Sequence, residues 1–235
     1  MMLAEVERLF EETPAEFGID AYREAVVNEN VLGKATAGSR QRAFRALREL
    51  YALDPGDATF RVLRFLWEED HAGRPLLALL QVLRRDPLLQ ATTPLILTKP
   101  EGSPVCASEL SAALAPEFRG ISQDLIDKIG RYAASTWTQS GHVRGRVNKK
   151  RSKAVCTAPV AAYAVFLGDL DGVAGPGLFE TRYARACDRS PYALRELAYQ
   201  ASRRGLIEYR EMGTVIELSF RRLHEPELLH VNAIA

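Results

Sequence analysis

"SPYALRELAYQASRRGLIEYREMGTVIELSF" spans Ser190–Phe220 and carries two different periods. Over 190–205 the apolar residues Leu194, Leu197, Ala198 and Ala201 recur at three- and four-residue steps, the spacing of one helical face. Ser190 stands where a cap is needed, Pro191 at the first helical position and Gly205 just past the end. From Leu206 the step shortens to two. Ile207 and Tyr209 alternate with Glu208 and Arg210; after Met212-Gly213, Ile216, Leu218 and Phe220 alternate with Glu217 and Ser219. Two alternating runs around a glycine-containing turn predict a β-hairpin directly behind the helix.

Working outward, "PVAAYAVFLGDL" (159–170) and "LFETRYARACD" (178–188) read as two further helices, separated by "DGVAGPG". Three helices and then a hairpin is the order of a winged helix-turn-helix, expected over 155–222 with 192–204 as its third helix. The apolar face of that helix leaves Tyr192, Arg195, Glu196, Tyr199, Gln200 and Arg203 outward. Arg, Tyr and Gln can reach base edges or phosphates in a major groove, which makes Arg195, Tyr199 and Arg203 candidate contacts. Glu196, Glu208 and Glu211 dilute that charge, and the same element order also serves in protein docking.

The first 140 residues carry the helical period throughout. An amphipathic segment covers 2–12 and ends at Pro14. Residues 39–53, with Ser39 as cap, place Phe44, Leu47, Leu50 and Tyr51 on one face; Phe60, Leu63, Leu66 and Trp67 form the next stripe. Residues 74–84 are nearly all apolar, as suits a central helix. A further helix starts at Pro87 and meets a break or kink at Pro94. Two more cover 107–115 and 122–138, the second expected to bury Leu125, Ile129 and Tyr132 or Ala133. The fold class is therefore mainly α: an N-terminal bundle over 1–140, a basic linker over 141–154, the winged domain over 155–222 and a tail over 223–235.

The linker is where the charge lies. "SGHVRGRVNKKRSK" (140–153) holds six Lys or Arg and no acid, in a chain of 31 basic and 30 acidic residues. No Asp or Glu occurs from Lys128 through Gly168, nor from Asn30 through Arg48. Segregated charge of this kind makes a local attractive field for a polyanion. Arg144, Arg146, Lys149, Lys150, Arg151 and Lys153 are the candidate phosphate contacts, with His142 as a further phosphate or water contact. Arg40, Arg42 and Arg45 in the second window form a candidate second anchor; they could equally be the wet face of a core helix. The basic surround should lower the pKa of His142. Trp67 is expected in the core, and Trp137 is expected to pack in preference to stacking on a base.

Other chemistries fail on spacing. In "HEPELLH" (224–230) the two His are six residues apart where a zinc helix needs four. "GDLDG" (168–172) lacks the ligand count of a calcium loop, and neither "GHVRGR" nor "GVAGPG" has the pattern of a nucleotide loop. No nucleophile–base pairing stands out, so no catalytic residue, metal or cofactor is expected. The apolar run at 75–83 is closed by Arg84, Arg85 and Asp86, which argues against a membrane span. Three widely spaced cysteines, Cys106, Cys156 and Cys187, read as reduced thiols of a cytosolic protein.

Three stretches together resemble a known family. "NENVLGKATAGSRQRAFRALRELYAL" (28–53), "LLALLQVLRRDPLLQATTPLIL" (76–97) and "STWTQSGHVRGRVNKKR" (135–151), followed by the short C-terminal domain, are similar to BrxA, the small non-enzymatic subunit of bacterial BREX phage-defence systems. The resemblance runs over about residues 28–220, with Thr136–His142 its most distinctive part. It implies a helical bundle like those of NusB-type nucleic-acid-binding proteins. It also implies DNA binding without catalysis, beside a methyltransferase, an ATPase and an alkaline-phosphatase-like subunit. The expected partner is double-stranded DNA held mainly through its phosphates. Left open are an adaptor role toward other BREX subunits, RNA binding by the N-terminal bundle, and self-association.

Overall fold

A short amphipathic helix, α1 (Leu3–Glu12), opens the chain, and α2 (Ile19–Arg23) runs on as a π turn over Glu24–Asn28. There follow α3 (Ala37–Tyr51), α4 (Ala58–Glu69), α5 (Arg74–Arg85), α6 (Pro87–Thr98), α7 (Ala107–Leu114) with a 3-10 turn to Glu117, and α8 (Gln123–Gln139). Strands β1 (Val143–Arg144) and β2 (Lys150–Arg151) come next, then α9 (Ala158–Leu170) and a 3-10 segment, Gly175–Glu180. The chain continues with α10 (Arg182–Ala186), α11 (Pro191–Arg203), β3 (Glu208–Met212), β4 (Val215–Ser219) and α12 (Arg221–His224). This computed structural model describes residues 1–117, 120, 122–213, 215–225 and 228–229. Of the expected tail over 223–235, residues 226, 227 and 230–235 fall outside the described residues, while Leu223 and Leu228 are buried.

The helix ends follow local chemistry. Asp57, Asp86 and Ser190 accept hydrogen bonds from the first free amides of α4, α6 and α11. Gly205, at φ 70°, closes α11 in a conformation that costs other residues more. The cap of α3 is Thr36 and not Ser39; Ser39 sits three residues in and returns the bond to Thr36, a reciprocal capping box. Pro94 lies inside α6 without ending it. The expected helix over 178–188 is divided, because Thr181 takes an extended conformation (ψ 162°) and caps α10 with its side chain.

Helix α9 organises the packing. Residues 158–168 are all buried, as befits a helix that is apolar on every side. It packs against α4 and α5 on one flank and against α10 and α11 on another. One cluster of buried apolar side chains therefore runs from Val6 and Leu9 in α1 to Ile216 and Phe220 beyond α11. The two regions separated by the expected linker share this core. A buried polar chain crosses it. The Tyr163 hydroxyl lies 2.6 Å from Gln81 Oε1 and 3.0 Å from the Thr59 carbonyl, while Gln81 Nε2 donates to Thr59 Oγ1 at 3.0 Å. Burial pushes the Tyr163 hydroxyl well above its ordinary pKa, so it stays protonated and can donate.

Helix α8 is rotated from its expected orientation. Ile126, Gly130, Ala133, Ala134 and Trp137 face the core, while Leu125 is 45% and Tyr132 is 61% exposed. The reason lies at Gly130. A side chain there would place Cβ 2.3 Å from Ser111 Oγ and 2.9 Å from the Ala107 carbonyl oxygen of α7. The close approach of α7 needs the bare glycine, and that fixes which stripe of α8 turns inward. No helix among the described residues is long and apolar enough to cross a membrane.

Tyr163→Phe removes the hydroxyl that completes this buried chain and leaves Gln81 Oε1 short of a donor. The expected loss is about 1–3 kcal/mol in urea unfolding, with the helical circular-dichroism signal of the folded state unchanged.

Candidate nucleic-acid interface

The expected linker is a folded hairpin. Val143 pairs with Arg151 and Arg144 with Lys150 across β1 and β2. On its other side β2 is stitched to residues 102–105: Gly102 N–H donates to the Arg151 carbonyl, Arg151 N–H to Ser103 and Val105 N–H to Lys149. Gly145 turns the loop at φ 102°, where an added Cβ would lie 2.4 Å from the Asn148 carbonyl oxygen. Gly141 N–H and the Ser152 hydroxyl donate internally, to the Thr138 and Gly141 carbonyls.

Two expected contacts are structural instead. His142 is wholly buried, with Nε2 2.9 Å from the Ala186 carbonyl and Nδ1 2.9 Å from the Ser140 hydroxyl. A carbonyl can only accept, so the ring proton sits on Nε2. Burial pushes the His142 pKa down to about 4, with the nearby Arg151 charge a smaller cause acting the same way. The neutral ring lies edge-on to Trp137, which is itself buried and donates from Nε1 to Thr92 Oγ1 at 2.9 Å. Trp137 packs, as expected, and Trp67 is likewise buried.

Arg151 is 3% exposed and makes an ion pair with Asp188 at 2.8 Å. Its Nε donates to the Ile96 carbonyl at 2.8 Å, and Nη1 to the His142 and Ser152 carbonyls. Both residues therefore point into the fold and are withdrawn from any phosphate. In sequence Arg151 is one more cation in a basic run, between Lys150 and Ser152; only its partner Asp188, 37 positions along, turns it inward. Asp188 holds a positive φ of 55° in the turn between α10 and α11. The Arg151–Asp188 and His142–Ala186 contacts thus fasten the base of the hairpin to the end of α10 and the turn that leads into α11.

What remains outside is a set of free cations. Arg144, Arg146, Lys150 and Lys153 are exposed and make no ion pair among the described residues. Lys149 is half-buried and donates to Thr138 Oγ1 at 2.8 Å and to the Gly145 carbonyl at 3.4 Å, closing the loop from within. Arg185, in the last turn of α10, and Arg189, just beyond the turn that the hairpin grips, are also exposed. Only the fold brings 186–188 beside 142–151.

On α11 the expected face is outward in part. Tyr192 is 72% and Tyr199 51% exposed, and Arg203 is exposed. Tyr199 meets Tyr209 of β3 edge to face at 6.4 Å. Arg195 is half-buried: its guanidinium lies 5.7 Å from the Phe179 ring centre and 3.9 Å from Glu211. Arg195 ties α11 to β3 and is not a free contact. Arg42 and Arg45 are exposed on α3, whereas Arg40 is half-buried and reaches the Asn28 carbonyl at 3.5 Å. Helix α3 packs on α5 and the π turn, and the hairpin packs on α8. The α3 cations thus sit on a different structural support from the hairpin cations.

Among the described residues no cluster of three or more His, Cys, Asp and Glu is placed to hold a metal ion, and Cys106, Cys156 and Cys187 are free thiols. No family model, curated protein or solved structure matches this chain.

Two outcomes test the hairpin's anchorage. Folding holds His142 near 4, below its ordinary 6.5, so the unfolded chain takes up the proton first as pH falls. Its contribution is full above about pH 6.5 and drains away toward pH 4; urea unfolding should show roughly 2 kcal/mol lost from this residue between pH 7 and 5, a slope that His142→Gln flattens. Asp188→Asn leaves the buried Arg151 charge without its counter-ion, and should cost about 3–5 kcal/mol at pH 7.

Proposed function

We propose that this protein is a non-enzymatic duplex-DNA-binding protein, whose contact surface is the β1–β2 hairpin together with the α10–α11 turn and α11. The observation that carries this reading is the Arg151–Asp188 pair, which ties the base of a loop whose exposed cations make no ion pair among the described residues to the turn that leads into α11. The N-terminal residues of such a helix are those that meet base edges in helix-turn-helix proteins, while flanking cations hold phosphates. Arg144, Arg146, Lys150 and Lys153 on the hairpin, Arg185 and Arg189 on the turn, and Tyr199 and Arg203 on α11 supply the contacts. Arg42 and Arg45 are a second, separate anchor. Backbone contacts dominate this set, so binding tolerates many sequences.

The helix–helix–helix–hairpin order of α9, α10, α11 and β3–β4 supports a winged helix-turn-helix reading of 155–222. Helices α1–α8 are the part for which the NusB-like reading is proposed. The resemblance to BrxA supports the further proposal of an accessory subunit of a bacterial anti-phage system of the BREX type, working in the cytoplasm.

A second reading, that of an adaptor for a partner subunit, is favoured by one feature. A groove of about 870 Å³ lies between α1, α3, α6 and α8, lined by Leu3, Leu50, Leu88, Ile129 and Tyr132 among others. Fluorescence anisotropy on a labelled duplex across a salt series separates the two. A DNA-binding protein loses affinity steeply with salt, by roughly 0.9 log units per log unit of salt for each phosphate contacted. Replacing Arg144, Arg146, Lys150 and Lys153 together by Ala should weaken binding at least about tenfold and flatten that slope. The melting temperature should hardly move, because all four side chains are exposed. An adaptor shows no duplex binding even at about 50–100 mM salt.

A further inference from the structure

The tip of the β1–β2 hairpin has a composition that phosphate binding alone does not account for. Its exposed residues include Arg144, Arg146 and Val147, the last 87% exposed. Val is β-branched and poorly suited to a turn, where Gly, Asn, Asp and Pro are preferred. It packs against nothing in the core cluster, so the fold gains little from it. Lys149 could hold a phosphate, yet its ammonium is spent on closing the loop. Of the free cations, Arg144 and Arg146 stand on either side of a turn glycine that only a bare Cα can occupy, with Lys150 across the ladder from Arg144.

We propose that this tip enters the minor groove of A·T-rich duplex DNA. The groove is about 6 Å wide, too narrow for a helix but open to a thin extended segment such as the tip of the 145–149 loop. A·T tracts narrow it further and deepen its negative potential, which favours inserted Arg over the more strongly hydrated Lys. An apolar side chain at the tip matches the wedges that minor-groove proteins press against base edges. Arg144 and Arg146 occupy the groove, Val147 supplies the apolar contact, and Lys150 and Lys153 rest on flanking phosphates. The base of the hairpin is already locked by His142–Ala186, Arg151–Asp188 and Arg151–Ile96, so little order is lost when the tip inserts. This inference rests on the DNA-binding reading and narrows it to a groove and a base composition.

The test measures anisotropy of the full chain with three duplexes of about twenty base pairs: an A·T tract, a G·C sequence, and the same G·C sequence with inosine for guanine. Inosine lacks the 2-amino group, so its minor groove resembles that of A·T while its major groove remains that of G·C. The A·T and inosine duplexes should bind within about twofold of each other and at least about fivefold more tightly than G·C. Arg144→Lys with Arg146→Lys should erase that preference while leaving the G·C affinity within about twofold. Val147→Ser should shrink the preference without changing the melting temperature. Equal affinity for all three duplexes, or an inosine duplex that behaves as G·C does, overturns the minor-groove assignment and leaves DNA binding standing. No binding to any of the three at about 50 mM salt overturns both.

Discussion

Helix α9 has no polar side through its first eleven residues, and everything else is arranged to enclose it. Each large apolar side chain kept from water there contributes about 1.5–3 kcal/mol, so no arrangement that leaves a flank open competes. Helices α4 and α5 cover one flank and α10 and α11 another. That enclosure joins what lies before residue 140 to what lies after 155, and it leaves the stretch between them no freedom to behave as a tether. Residues 141–154 must run across the surface of a finished core, and they do so as a hairpin pinned at its base.

The pinning divides the basic stretch into two chemistries. Arg151 and His142 serve the fold; one carries a buried charge balanced by Asp188, the other a ring kept neutral by burial. Arg144, Arg146, Lys150 and Lys153 stay in water. A buried charge is tolerable only when its donors are satisfied, and Arg151 meets this with one carboxylate and three carbonyls from three separate parts of the chain. The same contacts hold the exposed cations in a defined place relative to α11. A flexible linker would offer equal charge with no such placement, at a greater cost in order on binding.

Much of the helical layout was legible in the residues. The inward face of α11, its cap at Ser190 and its closing Gly205 followed from spacing and capping chemistry, as did the hairpin behind it. The stripe of α4 was legible for the same reason: Phe60, Leu63, Leu66 and Trp67 are all buried. The orientation of α8 was not. Leu125, Ile129 and Tyr132 make as good a stripe as Ile126, Ala133 and Trp137, and hydrophobicity alone prefers the bulkier set. The tight approach of α7 over Gly130 selects the other one. Nor was the break at Thr181 visible, since nothing local forbids a helix from continuing there. Among the candidate contacts, the hairpin cations Arg144, Arg146, Lys150 and Lys153, together with Arg42, Arg45 and Arg203, are exposed, while Arg151, His142 and Arg195 are drawn in by partners distant in sequence.

By itself the sequence determined the helical and strand periodicities, the Ser190 cap, and the segregation of positive charge into two acid-free windows. These are properties of neighbouring residues, and short-range sterics and hydrogen bonding are enough to set them. Only the tertiary structure decided which cations are free and which are buried, and that the base of the hairpin is held against the end of α10 and the turn before α11. Those outcomes turn on contacts between residues such as Arg151 and Asp188, or His142 and Ala186, whose meeting is a consequence of core packing and leaves no mark on the spacing of either segment.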